Sequence, residues 1–133
     1  MNAKFFEENS NTKKIGDWGE SLACAYLEKN RFFIIEKNYR IRGGEVDLIA
    51  KHKTQIHFIE VKFRRTQTYG TGLDAVDLYK QKRISRAAQF FILKHPNFAG
   101  FEKVFSVLNI TESENKTHID FFSDAFETSL ESF

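Results

Sequence analysis

The sequence predicts a mixed α/β domain in layers, and three observations carry that prediction. Apolar residues recur at helical spacing in two separated stretches, near residues 15–30 and 74–94. Short runs rich in Ile, Val and Phe, bounded by turn formers, read as strands: three before the second helix and two after it. The 133-residue chain with 15% aromatic content is long enough to bury one core without staples. We assign residues 1–12 to an N-terminal tail, 13–126 to the domain and 127–133 to a C-terminal tail.

Met1 to Asn11 is polar, with an isolated Phe5-Phe6 pair and no period. Asn11 or Thr12 can cap a first helix from Ile15 to about Asn30, whose apolar residues Trp18, Leu22, Ala25 and Tyr26 fall together. Gly16 and Gly19 are costly inside it and make sense where the backbone packs closely on a sheet or ligand. Phe32 to Tyr39 is the first strand, and Arg40 to Gly44 a turn. Glu45 to Ala50 and Gln55 to Arg64 form a hairpin, with Lys51, His52, Lys53 and Thr54 as its loop. Arg65 to Gly72 reads as a mobile loop.

A second helix covers roughly Asp74 to Lys94, with Val76, Lys80, Ile84, Ala87, Ala88 and Phe91 on one face. Lys80 is the only charge in that stripe, which places it at a sheet-facing edge. Pro96 and Gly100 end the helix. Strands follow at Glu102 to Ile110 and Lys116 to Phe122, with a short helix near Asp124. The pairs Phe32-Phe33, Phe90-Phe91 and Phe121-Phe122 read mainly as core.

The single cysteine, Cys24, cannot form an internal disulfide and reads as a buried small residue. No basic-plus-apolar leader opens the chain, so the cytoplasm is the expected compartment. No apolar run is long enough for a membrane span. The net charge of +2 argues weakly for a nucleic-acid partner, but its distribution argues more. Between Lys62 and Lys94 the only acids are Asp74 and Asp77, whereas from Thr111 onward Lys116 is the only Lys or Arg. A basic flank attracts a phosphate backbone. Ordinary solvated faces would give the same pattern.

The chemistry concentrates in Gly44-Glu45-Val46-Asp47 and Glu60-Val61-Lys62. Strand alternation puts Glu45, Asp47 and Ile49 on one face of their strand, and Phe58, Glu60, Lys62 and Arg64 on one face of the next. Pairing Ala50 with Gln55 sets Asp47 opposite Phe58 and diagonal to Glu60. A one-residue slip would separate the two acids. Phosphodiester hydrolysis needs charge neutralisation and an activated water, and hard carboxylate oxygens suit Mg²⁺ or Mn²⁺. Asp47 and Glu60 are the candidate metal ligands, with the Val61 carbonyl as a third oxygen. Lys62 would orient or deprotonate the attacking water and stabilise phosphorane charge.

Each fragment also has a plainer explanation. Glu60 and Lys62 make a same-face ion pair, Asp47 a hairpin-shoulder acid, and Glu45 a strand-start charge beside a turn. The four histidines show no metal-ligand spacing, and His57 falls opposite Glu60, where packing explains it.

Taken together, these residues resemble the PD-(D/E)xK nuclease superfamily and, more closely, its small uncharacterised YraN-like branch, similar to archaeal Holliday junction resolvases. The resemblance runs from Gly16-Asp17-Trp18-Gly19-Glu20 through Asn38-Tyr39-Arg40, Gly44 to Ala50 and Ile59 to Arg64. It continues at Tyr69-Gly70, Ala75-Val76 with Lys80, and Ala125-Phe126. It implies a restriction-endonuclease-like α/β fold, with a central mixed five-stranded sheet flanked by helices. It adds Glu20 as a third catalytic acid beside Asp47, Glu60 and Lys62, and agrees with Lys80 as a site lysine. Where the branch has an Arg-Phe-Asp-Val-like strand, this chain has Val104-Phe105-Ser106-Val107, so Ser106 replaces an acid.

The implied activity is a Mg²⁺- or Mn²⁺-dependent endonuclease acting on DNA, including branched or Holliday-junction DNA. Arg40, Arg64 and Lys80 would meet phosphates, positioning the backbone without reading sequence. Resolvase relatives act as dimers, so a homodimer is the expectation for cutting two strands. A non-catalytic nucleic-acid-binding module with the same fold is the alternative, and RNA shares the phosphate chemistry.

Overall fold

The computed structural model describes residues 9–65 and 76–127, with first-helix side chains from Gly16 onward. Helix α1 spans Asn9–Lys29, followed by β1 (Phe33–Ile41), β2 (Gly44–His52) and β3 (Gln55–Arg64). Helix α2 spans Leu78–Lys94, a 3₁₀ turn covers Pro96–Phe98, and β4 (Glu102–Ser113) and β5 (Lys116–Phe126) complete the order. The sheet runs β1-β2-β3-β4-β5, antiparallel throughout except for the parallel β3–β4 pair. Parallel neighbours need a long crossover, and α2 lies within it. This is the mixed five-stranded α/β architecture expected of a restriction-endonuclease-like fold.

Two apolar clusters hold the layers together. One packs Ile84, Ala87, Ala88 and Phe91 of α2 against Val46, Ile49, Ile56 and Phe58. The other packs Ala23, Cys24 and Leu27 of α1 against Leu48, Ala50, Ile59 and Ile110. Cys24 is buried as expected, and burial pushes its thiol up from its ordinary pKa. Each phenylalanine pair whose core role was expected is divided by the layers: Phe91 is fully buried while Phe90 is 38% exposed, and Phe33 is 70% exposed on an edge strand.

Several element limits differ from the sequence reading. Helix α1 begins ahead of the predicted boundary, so Asn11 and Thr12 lie within it rather than capping it. Its buried line is Gly19, Ala23, Cys24 and Leu27, whereas Ala25 is exposed, because the sheet contacts the helix on a face rotated from the predicted one. Helix α2 starts at Leu78, capped by the Asp77 carboxylate, which accepts from the Lys80 N–H at 2.8 Å. Among the described residues no helix forms near Asp124. Strand β5 continues to Phe126, which pairs with Phe105, and Asp124 takes a positive φ of 59° within it. The predicted mobile loop falls largely on residues 66–75, outside the described residues, as do most of both predicted tails and Tyr69, Gly70 and Ala75.

The β2–β3 hairpin is tighter than the four-residue loop expected. His52 pairs with Gln55, leaving Lys53-Thr54 as a two-residue turn with Lys53 at φ 55°. The register therefore shifts by two from Ala50↔Gln55 to Ala50↔His57. An even shift keeps the side chains from Leu48 to His52 on their faces while the residues opposite them change.

Gly44 sets how closely α2 approaches β2. A Cβ there would lie 2.7 Å from the Arg83 carbonyl oxygen and 2.9 Å from the Ala87 amide nitrogen, both rigid backbone atoms. Gly44→Ala is therefore expected to cost about 1–3 kcal/mol as the helix is forced outward. A lower urea midpoint at unchanged slope checks this.

His57 lies beneath α1's layer, 1% exposed. Its Nδ1 contacts the Ser106 hydroxyl at 2.9 Å and its Nε2 the Gln55 side-chain oxygen at 3.1 Å. Phe32 and Phe121 pack around the ring. Burial, with some repulsion from His52, lowers its pKa to about 4. The packing explanation for His57 holds, and Ser106 is accounted for as its partner.

Candidate active site

Asp47 sits where the sheet departs from regular alternation. The β1–β2 register passes from Lys37↔Leu48 to Tyr39↔Val46, the β2–β3 register ends at Leu48↔Ile59, and neither pairs Asp47. Val46 joins Ile49 in the α2-side cluster while Leu48 joins the α1 side, so the face changes at this position. Asn38, between Lys37 and Tyr39, takes a positive φ of 51°, which asparagine tolerates better than most residues. Without a ladder partner for its strand position, the Asp47 carboxylate turns to β3 and accepts the Val61 N–H at 2.8 Å.

Glu60 follows Ile59 on β3 and is 3% exposed. Its Oε2 meets Lys62 Nζ at 3.4 Å and Lys80 Nζ at 3.3 Å, while its Oε1 is buried with no hydrogen-bond partner. A buried carboxylate oxygen without a donor is costly. Burial and the neighbouring Glu60 raise the Asp47 pKa to about 7, partly countered by the Val61 N–H and Lys80. Burial acts to lower the Lys80 pKa, but Glu60, Asp47 and Glu45 outweigh it and leave it raised. The fold thus gathers Asp47, Glu60, Lys62 and Lys80 into one cluster.

A second ring of charge surrounds Glu45. Its carboxylate lies 3.7 Å from Arg40 Nε, 3.8 Å from Lys80 Nζ and 3.7 Å from Arg83 Nε. The sequence reading of Glu45 as a plain strand-start charge missed this hub. It also missed Arg83, although the three-residue step from Lys80 puts the two on one side of α2. Lys80 bridges the clusters by reaching both Glu45 and Glu60. Arg64 ends β3, beyond Lys62.

Glu20 lies on α1, across the recess from Asp47. Its carboxylate accepts from Asn38 Nδ2 at 2.7 Å, and it lines a recess between α1 and the sheet that Asp47 and Val61 also line. Among the described residues no group of three or more His, Cys, Asp or Glu converges closely enough to hold an ion. Two carboxylates are nonetheless sufficient for Mg²⁺, which retains several waters. The partnerless Glu60 Oε1 and the raised Asp47 pKa both mark a place where positive charge would be favoured, so the donor set fits a divalent cation.

Comparison with known proteins decides the family. The model of the uncharacterised protein family UPF0102 matches residues 19–111, most of the chain and all of the cluster. The chain belongs to the UPF0102 family. A UPF0102 protein of Geobacter metallireducens is 41% identical over 115 residues, covering 86% of this chain and 93% of its own. Another from Geobacter sulfurreducens is 40% identical over 122 residues, covering 91% and 94%. One from Caldanaerobacter subterraneus subsp. tengcongensis is 37% identical over 110 residues, covering 83% and 89%. UPF0102, the YraN-like branch, lies within the PD-(D/E)xK nuclease-like superfamily, as the motif resemblance implied. No helix among the described residues of this UPF0102 chain is long and apolar enough to cross a membrane.

Proposed function

We propose that this UPF0102 chain is a divalent-metal-dependent nuclease that hydrolyses phosphodiester bonds of DNA. The observation that carries the reading is the buried Glu60 beside the half-buried Asp47, with one Glu60 carboxylate oxygen unpartnered and two lysines beside it. Such a pair is costly for the fold and useful for chemistry on a polyanion. Asp47 and Glu60 would hold Mg²⁺ or Mn²⁺, with the Val61 carbonyl as a third oxygen. When bound, the ion neutralises phosphate charge and makes a coordinated water more acidic.

The remaining roles fall to the chain's own groups. The Lys62 ammonium, 27% exposed beside Glu60, would orient the attacking water and offset charge on the pentavalent phosphorus. Lys80 holds Glu60 in place and would add positive charge facing the phosphate. Arg40, tethered loosely to Glu45 yet 74% exposed, is free to swing to a neighbouring phosphate, with Arg64 extending the same track. Glu20, through Asn38, would position β1 against Asp47. Cutting both strands of a duplex would require two copies of the chain.

A panel of single-stranded, duplex, flap, four-way-junction and RNA substrates, assayed with Mg²⁺, Mn²⁺ or EDTA, tests the reading. Metal-dependent cutting of DNA is expected. Binding without cutting in every metal would favour a binding module instead.

Ion binding has its own readout. Added Mg²⁺ or Mn²⁺ should raise the melting temperature, by the equivalent of about 2.7 kcal/mol at a hundred times the dissociation constant. It should also release protons near pH 7, because the Asp47 carboxyl must ionise to serve as a ligand. Calorimetry in buffers of different ionisation enthalpy measures that release, and EDTA should reverse the thermal shift. No thermal shift with either ion would count against the metal assignment.

A further inference from the structure

The recess beside Asp47 has a volume of about 380 Å³, within the range of small-ligand sites. Asp47 and Val61 form the wall it shares with the candidate metal cluster. Its other walls carry Asp17, Glu20 and Asn38, with Arg40 as the one cation among the described lining residues, so hydrogen-bond acceptors are prominent there. A flat group bearing N–H donors suits such a lining. Phe63 supplies a flat apolar wall, held by the Trp18 ring packed edge-on at 5.2 Å and 84°. Glu20 and Asn38, joined at 2.7 Å, present a carboxylate and an amide, the groups that commonly read base edges.

We infer that this recess seats one unstacked nucleobase next to the scissile phosphate, so the site acts on nucleic acid carrying an unpaired nucleotide. The inference rests on the nuclease reading above and adds its substrate class. Stacking on Phe63 provides affinity without strong sequence choice. The acidic lining favours bases with exocyclic amino groups over thymine. A base fully paired in a duplex cannot enter a recess of this size while still stacked on its neighbours.

The test uses the full chain with 2-aminopurine oligonucleotides in Ca²⁺ buffer. One probe is a fully paired duplex, and the other has the same sequence with the 2-aminopurine unpaired. The unpaired probe should bind about tenfold more tightly, with its fluorescence quenched by stacking. Gly16→Leu should bring the affinity ratio close to one by filling the recess. Gly16 lines it, and a Cβ built there meets nothing within 4 Å, so the fold should tolerate the change. An unchanged or higher melting temperature confirms folding, since leucine is the better helix former. Phe63→Leu, which keeps apolar volume beside Trp18 but removes the flat ring, should reduce the same ratio several-fold. Equal binding of both probes by the unaltered chain, or a ratio that survives both substitutions, overturns the inference and leaves the nuclease reading standing. Absence of binding to either probe overturns both.

Discussion

Asp47→Asn is expected to abolish metal-dependent cleavage, lowering the single-turnover rate by at least about 10²–10³-fold. Asparagine matches the size of aspartate and keeps an oxygen to accept the Val61 N–H, now at 2.8 Å, so the strand geometry should persist. What is removed is the negative charge that would hold a divalent ion together with Glu60. Lys62→Met should lower the rate by about 10²–10⁴-fold through a different route. It preserves an unbranched apolar stem but removes the ammonium 3.4 Å from Glu60. Metal affinity should survive Lys62→Met and fail in Asp47→Asn, so thermal shift with Mg²⁺ separates the two defects. A rate at the wild-type level in either variant would falsify its assigned role.

The same Asp47→Asn substitution should stabilise the metal-free fold, and the size of the gain should depend on pH. Asp47 titrates near 7 in the fold against an ordinary 3.8, so its contribution to stability is complete at low pH and is lost as pH rises through 7. His57 runs the other way. Its folded pKa of about 4 against an ordinary 6.5 means that its contribution is complete above 6.5 and is lost as pH falls towards 4. Between those limits the two slopes oppose and nearly cancel, so the wild-type profile should be flat there and fall above pH 6.5. Asp47→Asn exposes the His57 slope alone. Its stability should climb from pH 4 to 6.5, level off, and exceed wild type at pH 8 by on the order of 4 kcal/mol. Urea melts in EDTA at pH 4.5, 6.5 and 8 check this, and parallel profiles for the two proteins would contradict it.

Most of the architecture was legible because it depends on patterns that survive without coordinates. Period-two alternation in Gln55 to Arg64, and helical spacing of Ile84, Ala87, Ala88 and Phe91, each report a buried face directly. The meeting of Asp47 and Glu60 was also legible, although the hairpin register was off by two. Along β3 parity gave the faces, whereas on β2 the alternation that grouped Asp47 with Ile49 breaks at Asp47, and its carboxylate reaches β3 through the Val61 N–H. Element ends were less accessible. The extension of β5 past Phe122 depends on β4 lying beside it, and the start of α1 before Ile15 has no sharp stop signal in its polar sequence.

Sequence alone determined the residue types and parity that put two acids and a lysine on neighbouring strands, and the family signature that surrounds them. Only the tertiary structure decided how those charges are balanced. It left Asp47 outside both ladders, drew Lys80 and Arg83 over β2 through the close contact at Gly44, and left one Glu60 oxygen unpartnered. It also joined Glu20 to Asn38 in a recess that Asp47 and Val61 share. Spacing along a chain fixes which side of an element a group occupies, whereas burial, and the distance between groups on different elements, depend on how the layers pack.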